Sequence, residues 1–308
     1  MAQKINLNKY VAEVKKNLGM NVPDEIIEKD LILTLIMGEF EKLGLGKELI
    51  FKGGTLLSRN YLKYHRFSED LDFVHIDSNE LRRMKRNSRE KRIRNFIDSF
   101  VPELNRVAES LGMTFSTNRS DTKFCTVLHG RTVYIFRLYY SGNRFVKIEI
   151  NFIEKVIYPP KEVSIKAITD LFDSRELMFT LGLSIQNFRT LSYPMEEIIV
   201  EKYRAILTRA ELKERDLFDL FLIRGSLAPE VGEIVEKIRN SSLIKRGLGK
   251  TIKEKLNLLE KGEFFMGGEK IEYLVIIKYD AEEFENFKKK IRPKLIEICR
   301  SFLNKKEP

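Results

Sequence analysis

Asp70 and Asp72 lie one residue apart in residues 51–73, FKGGTLLSRNYLKYHRFSEDLDF, and Asp70 comes sixteen residues after Gly54 of a Gly53-Gly54-Thr55 corner. Alternate side chains of a strand share a face, so the two carboxylates would stand together while Leu71 and Phe73 turn inward. A third carboxylate on a neighbouring strand would complete a site for two divalent cations, Mg²⁺ or Mn²⁺. Glu149 can supply it. In FVKIEINFI, residues 145–153, Val146, Ile148, Ile150 and Phe152 alternate with Lys147, Glu149 and Asn151. Such a metal pair would neutralise a triphosphate, orient an attacking hydroxyl and stabilise departing pyrophosphate. Gly53, Gly54 and Thr55 would open a helix whose backbone N–H groups hold phosphate oxygens, where a side chain would block the approach. Each piece has a plainer reading, as a turn, a surface pair or a solvated strand face. The ordered combination is far more specific.

These groups need particular elements to position them. Residues 24–43 carry Ile27, Leu31, Leu35 and Phe40 at helical spacing, with Pro23-Asp24 as a start signal and Gly44 and Gly46 as stops. Leu49-Ile50-Phe51 reads as a short strand entering the corner, and residues 55–63 as a helix. Residues 71–76 read as a strand with Asp70 at its entrance. Residues 132–140 and 145–153 read as strands joined by a Ser141-Gly142-Asn143 turn. Pro159-Pro160 marks a boundary, and beyond about residue 165 the pattern is mostly helical, clearest over 196–208, 212–223 and 283–302.

Within the helical half, Lys202 stands at the edge of an apolar face formed by Ile198, Ile199, Tyr203 and Ile206. Such a lysine either snorkels or needs a partner or ligand. Asp216 and Asp219 lie one turn apart on an otherwise apolar helix, and buried carboxylates need cations. Arg215 could pair with Asp219, and Arg209 or Lys202 could reach Asp216; Asp216 reads as catalytic or positioning and Asp219 as structural. Arg66, ahead of the carboxylate pair, would touch phosphate or brace its loop. His65, His75 and His129 have no ligand spacing, and Cys125 reads as a packing residue.

The balance of 55 Lys and Arg against 45 Asp and Glu gives the 308-residue chain a net charge of +10, which favours polyanionic partners or a self-repelling surface. Residues 82–94 hold eight basic residues and one acid, Glu90. Arg82, Arg83, Arg86 and Arg89 are the candidates for RNA phosphate contact, with a solvated helix as the rival reading. Two cysteines, Cys125 and Cys299, exclude a disulfide framework and suit a reducing cytoplasm. The N-terminus shows no apolar signal region, and the longest apolar stretch, residues 31–37, is too short to cross a bilayer. A cytoplasmic protein without a membrane partner is expected.

GGT…RFSEDLDF followed by VKIEI resembles the polymerase β-type nucleotidyltransferase superfamily. Residues 195–223, MEEIIVEKYRAILTRAELKERDLFDLFLI, resemble the C-terminal signature of the AbiEii/AbiGii toxin family, which includes the MenT toxins: Lys202 in one helix, then Arg215, Asp216, Asp219 and Leu220 in the next. The likeness covers roughly residues 24–225; Thr55 takes the place of a serine common in the superfamily, as is usual in this branch, and residues 226–308 match nothing. The resemblance implies an α/β fold, with a small mixed sheet and flanking helices in residues 1–165 and a mainly helical domain in 166–308 that completes a nucleotide cleft. It implies metal binding by Asp70, Asp72 and Glu149, catalytic roles for these with Lys202 and Asp216, and phosphate binding by Gly53, Gly54, Thr55, Arg66 and Lys202. The implied reaction moves a nucleoside monophosphate from an NTP to the 3′ end of tRNA, in a toxin of a toxin–antitoxin or phage-defence system that a separate antitoxin neutralises. A transferase acting on a protein or small-molecule hydroxyl is one rival; a non-catalytic nucleic-acid-binding module is another, against which the intact acidic trio argues.

Overall fold

The strands on either side of the glycine corner join one sheet, and the helical half forms a separate body. A computed structural model of the chain describes residues 6–19, 22–185, 188–225, 228–240, 247–264 and 271–304. The chain divides into two compact units, one of Met1–Ile153, Pro160–Tyr193 and Tyr273–Ile276, the other of Glu154–Pro159, Pro194–Glu272 and Ile277–Pro308.

The first unit runs α1 (Leu7–Leu18), α2 (Asp24–Leu43), β1 (Leu49–Lys52), α3 (Gly53–Leu56) with a π-helical turn over Leu57–Tyr61, β2 (Asp70–His75), α4 (Ser78–Arg83), α5 (Arg86–Ser110), β3 (Cys125–Leu128), β4 (Val133–Ser141), β5 (Arg144–Asn151), β6 (Lys161–Ile165), α6 (Arg175–Leu181) and β7 (Phe188–Ser192). The strands form a seven-stranded mixed sheet in the order β3-β4-β5-β2-β1-β7-β6. β2 is antiparallel to β1 and parallel to β5, and β1 is parallel to β7. The unit extends past residue 165 because Phe51 of β1 pairs with Ser192 of β7, which in turn pairs with β6.

One sheet face is apolar. Leu71 and Phe73 of β2, Phe51 of β1, Phe136 of β4 and Ile148 and Ile150 of β5 are all buried. Their cover comes from α2 and α5: Phe40 stacks on Phe73 with centroids 5.9 Å apart, and Phe100 meets both Phe40 and Phe136. Burial of one such ring contributes about 1.5–3 kcal/mol. The alternation that sends these rings inward sends Asp70, Asp72, Lys147 and Glu149 to the opposite face.

One element differs from its expected form: the helix after the corner begins at Gly53 and widens into a π turn over Leu57–Tyr61. The basic segment, open to one helix or two in series, is two, because Met84 and Lys85 are extended, with ψ of 150° and 145°.

The second unit contains α7 (Met195–Thr208), α8 (Glu214–Leu222), α9 (Val231–Arg239), α10 (Leu248–Glu260) and α11 (Ala281–Asn304). Ile234, Ile238, Ile252, Leu295 and Ile298 form part of its core. The strap Glu154–Pro159 is tied in by polar groups: the fully buried Lys237 ammonium lies 3.0 Å from Glu154 and 2.6 Å from Glu197, and Glu197 accepts hydrogen bonds from the backbone N–H of Ile157 and Tyr158. Among the described residues no helix is long and apolar enough to cross a membrane.

Candidate active site

Gly53 turns the chain out of β1 with φ of +84°, a left-handed conformation that side chains resist. A Cβ there would lie 2.5 Å from Asp72 Oδ2. At Gly54 a Cβ would lie 2.8 Å from Arg66 Nη2 and 2.9 Å from Ser68 Oγ. A side chain at either position would crowd these groups, and the space a Gly53 side chain would need is taken by the Asp72 carboxylate. Thr55 adds a further stitch. Its buried hydroxyl donates to the carbonyl oxygen of Asp70 at 2.6 Å, so in this structure it braces the entrance to β2. Arg66 is also buried; its Nη1 donates to the Phe67 carbonyl at 2.7 Å, and its backbone bridges to Val275. Of the two roles open to Arg66, the geometry displays the brace.

The π turn behind the corner is anchored from below. Arg59 Nη2 lies 2.6 Å from Asp30 Oδ1 and donates to the Asp30 carbonyl at 2.9 Å, while Nη1 donates to Thr34 Oγ1 at 2.9 Å. Both members of this ion pair are buried, at 1% and 2% exposure. Burial pushes the Asp30 carboxyl up, and the charge of Arg59 works against that rise. Removing either partner of such a pair strands a charge in the interior, so the network holds the turn in one geometry.

Strand register assembles the carboxylate face. Asp72 stands opposite Glu149 and Asp70 opposite Lys147 in the parallel β2–β5 pair, and Lys52 stands opposite Asp72 in the β1–β2 pair. The register thus puts Asp70, Asp72 and Glu149 on one face of neighbouring strands. Among the described residues, however, no three carboxylate, imidazole or thiolate groups converge into a ready metal cage. The Lys147 ammonium is interleaved with them, 3.1 Å from Asp70 Oδ2 and 3.7 Å from Glu149 Oε2. Burial works against the charge on Lys147, and Asp72, Asp70 and Glu149 outweigh it, raising its pKa. Hard carboxylate oxygens suit Mg²⁺ or Mn²⁺. The donor chemistry therefore fits a divalent cation, with Lys147 holding the counter-charge.

The second unit carries the other predicted polar cluster. Lys202 Nζ lies 2.8 Å from Asp216 Oδ1 and 2.5 Å from Asp219 Oδ2, and Arg209 also pairs with Asp216. Asp219 thus has Lys202, from α7, as a cation partner. Asp216 and Asp219 are buried at 2% and 0% exposure, with the ammonium shared between them. Burial pushes the Asp216 carboxyl up, but Lys202 and Arg209 overcome it and hold it below the usual carboxylate range.

Arg82 and Arg83 end α4, and Arg86 and Arg89 lie in the first turns of α5. α5 packs Phe100 against the apolar side of the sheet, opposite the carboxylate face. Arg86 pairs with Glu90 at 2.7 Å, and Arg92 with Asp77 and Glu80 at 2.6 Å each. His75 packs against Phe96 and Phe152 and accepts a hydrogen bond from the Asp77 N–H. Cys125 and Cys299 are buried free thiols.

Lys147 and Lys237 are the polar residues that sequence reasoning passed over. For Lys147 a signal existed, since it shares the alternating face with Glu149, but its meeting with Asp70 depends on strand register. No curated protein sequence matches the chain. A glycine corner braced on a pair of strand carboxylates, a third carboxylate brought alongside by parallel pairing, and a lysine held by two helix carboxylates agree with the one family finding: residues 35–299 match the family described as "Nucleotidyl transferase AbiEii toxin, Type IV TA system", and the chain belongs to that family.

Proposed function

We propose that this toxin is a metal-dependent nucleotidyltransferase that moves a nucleoside monophosphate from an NTP onto the 3′ end of a tRNA in the cytoplasm. The observation that carries the reading is the closeness of the glycine corner to Asp72, where a Cβ on Gly53 would lie 2.5 Å from Asp72 Oδ2, so that the corner stands beside a hard oxygen ligand. Asp70, Asp72 and Glu149 would hold the divalent cations, two in number. Bound there, Mg²⁺ or Mn²⁺ supplies charge neutralisation for the triphosphate. In the reaction the acceptor hydroxyl gives up its proton to solvent as its oxygen bonds to the α-phosphorus, the bond from the α-phosphorus to the α,β-bridging oxygen breaks, and pyrophosphate leaves. Gly53 and Gly54 leave the backbone open to the triphosphate, while Thr55 and Arg66 keep the corner and β2 in register. Lys202 and Asp216 are assigned to the same reaction by the family likeness of their helices. The net charge of +10 favours a nucleic-acid acceptor over a small-molecule hydroxyl.

A toxin of this family implies a cognate antitoxin. The test of the reaction is incubation of the protein with each α-labelled NTP, Mg²⁺ and total tRNA. Label at tRNA 3′ ends, lost with EDTA and with Asp72→Ala, is expected. Label carried by protein, or incorporation indifferent to EDTA, overturns the reading.

A further inference from the structure

We propose that Lys147 is the resident counter-ion of the carboxylate face, and that a divalent cation enters only by displacing its ammonium. The proposal rests on the reading of Asp70, Asp72 and Glu149 as cation ligands. Parallel pairing sets Lys147 opposite Asp70 and Glu149 opposite Asp72, so the lysine stem stands beside Asp70 and next to Glu149 on the same face. Its Nζ lies 3.1 Å from Asp70 Oδ2 and 3.7 Å from Glu149 Oε2, bridging the strand pair where a shared cation would have to sit. Lys147, Asp70 and Glu149 are 28%, 31% and 24% exposed, screened enough for the pairing to matter yet open to an entering ion.

Of the neighbouring cations in the register, Lys52 on β1 stands opposite Asp72, and Arg137 on β4 is engaged toward β3. Its Nη1 donates to Thr126 Oγ1 at 2.9 Å and to the Thr122 carbonyl at 3.3 Å, toward β3. Lys147 thus bridges Asp70 and Glu149, and it accounts for the lack of a closed three-ligand cage among the described residues. An ammonium on a flexible four-carbon stem suits this task, because it can leave without breaking a bidentate fork.

Free metal then competes with a built-in charge and binds weakly. A metal ion arriving with a triphosphate brings new anionic oxygens, so the displaced ammonium regains a partner. Metal and nucleotide binding are therefore coupled, and the coupling is reciprocal. The site stays closed to free cations until nucleotide is present.

The test measures Mn²⁺ binding to the nucleotide-free protein from the spin-resonance signal of the free aquo ion, with wild type, Lys147→Met and Lys147→Arg. Lys147→Met is expected to bind Mn²⁺ about tenfold or more tightly than wild type. Lys147→Arg should bind as weakly as wild type. A non-hydrolysable NTP analogue should raise Mn²⁺ affinity strongly in wild type and much less in Lys147→Met. In EDTA, Lys147→Met should melt below wild type and recover with Mn²⁺. If far-UV circular dichroism shows that the Met variant does not fold, Lys147→Gln takes its place. Equal Mn²⁺ affinity in wild type and the neutral variant, abolished in both by Asp72→Asn, overturns the role of Lys147 and leaves the metal site standing. Mn²⁺ binding that survives Asp72→Asn, or binding by none of the proteins, overturns the metal-site reading and this proposal with it.

Discussion

Gly53→Ala should damage both fold and chemistry, and the size of each effect follows from the corner. The residue holds φ of +84°, and forcing a side chain into left-handed backbone costs about 1–2 kcal/mol. The added Cβ would also lie 2.5 Å from Asp72 Oδ2, about 0.9 Å short of ordinary contact at 3.4 Å. Either the corner or the carboxylate must shift by that amount, and a misplacement of about 1 Å near reacting groups costs on the order of 10²-fold in rate. Gly54→Ala lacks the backbone penalty and meets Arg66 and Ser68 instead, so it should disturb the brace while leaving Asp72 in place. The assay is kcat/KM for incorporation of labelled nucleotide, with melting followed by far-UV circular dichroism because the chain has no Trp. Gly53→Ala should lower kcat/KM about 10²-fold and the melting temperature by about 2–8 °C. A variant within about threefold of wild type, far inside that 10²-fold, would show that Asp72 has no need of its present position.

Asp72→Ala should fold and lose nucleotide transfer by about 10²-fold or more, read from label incorporation at saturating Mg²⁺; near-normal turnover would remove Asp72 from the site. Lys202→Met withdraws the ammonium shared by two buried carboxylates and should destabilise the protein by about 3–5 kcal/mol in urea titrations, with a loss under about 1 kcal/mol speaking against a buried pair. Asp216 is held below the usual carboxylate range, so its contribution to stability is complete above about pH 4 and disappears as pH falls through its lower folded-state value; Asp216→Asn should flatten the acid limb of the stability curve below about pH 4. Replacing Arg83, Arg86 and Arg89 by Gln should reduce the slope of log K for tRNA against log salt by about 0.7–0.9 per lost phosphate contact. Parallel slopes would place the RNA elsewhere, and because Arg83 ends α4 while Arg86 and Arg89 belong to α5, the Arg86/Arg89 pair should be tested apart from Arg83.

What the sequence made legible was local. Helix α2 begins and ends where its periodicity and its glycines place it, at Asp24 and Leu43. The sharing of one face by Asp70 and Asp72, and the outward position of Glu149, follow from a period of two residues. What stayed hidden depends on partners distant in the chain. β6 and β7 are short, five residues each, and only pairing to β1 makes β7 part of the sheet. The π turn is imposed by Arg59 reaching back to Asp30, and no local pattern marks it. Lys147 was visible as a strand lysine, but its place between Asp70 and Glu149 is a fact of parallel register. Asp219 likewise suggested a partner on its own helix, whereas Lys202, earlier in the chain on α7, lies 2.5 Å from it.

The four residues Tyr273–Ile276 belong to the first unit although most of the second precedes them in the chain. There the Phe67 N–H donates to the Leu274 carbonyl and the Ile276 N–H to the His65 carbonyl, both at 2.9 Å, so this late segment pairs with the loop that carries Arg66. Synthesis on the ribosome runs from the N-terminus, and the loop has no partner strand until residue 276 has emerged. The nascent chain therefore exposes Asp70, Asp72 and the glycine corner long before their supporting loop can be fastened. A chain built in this order cannot fasten that loop while most of it is still being made, and fragments released early by interrupted translation lack the fastening altogether.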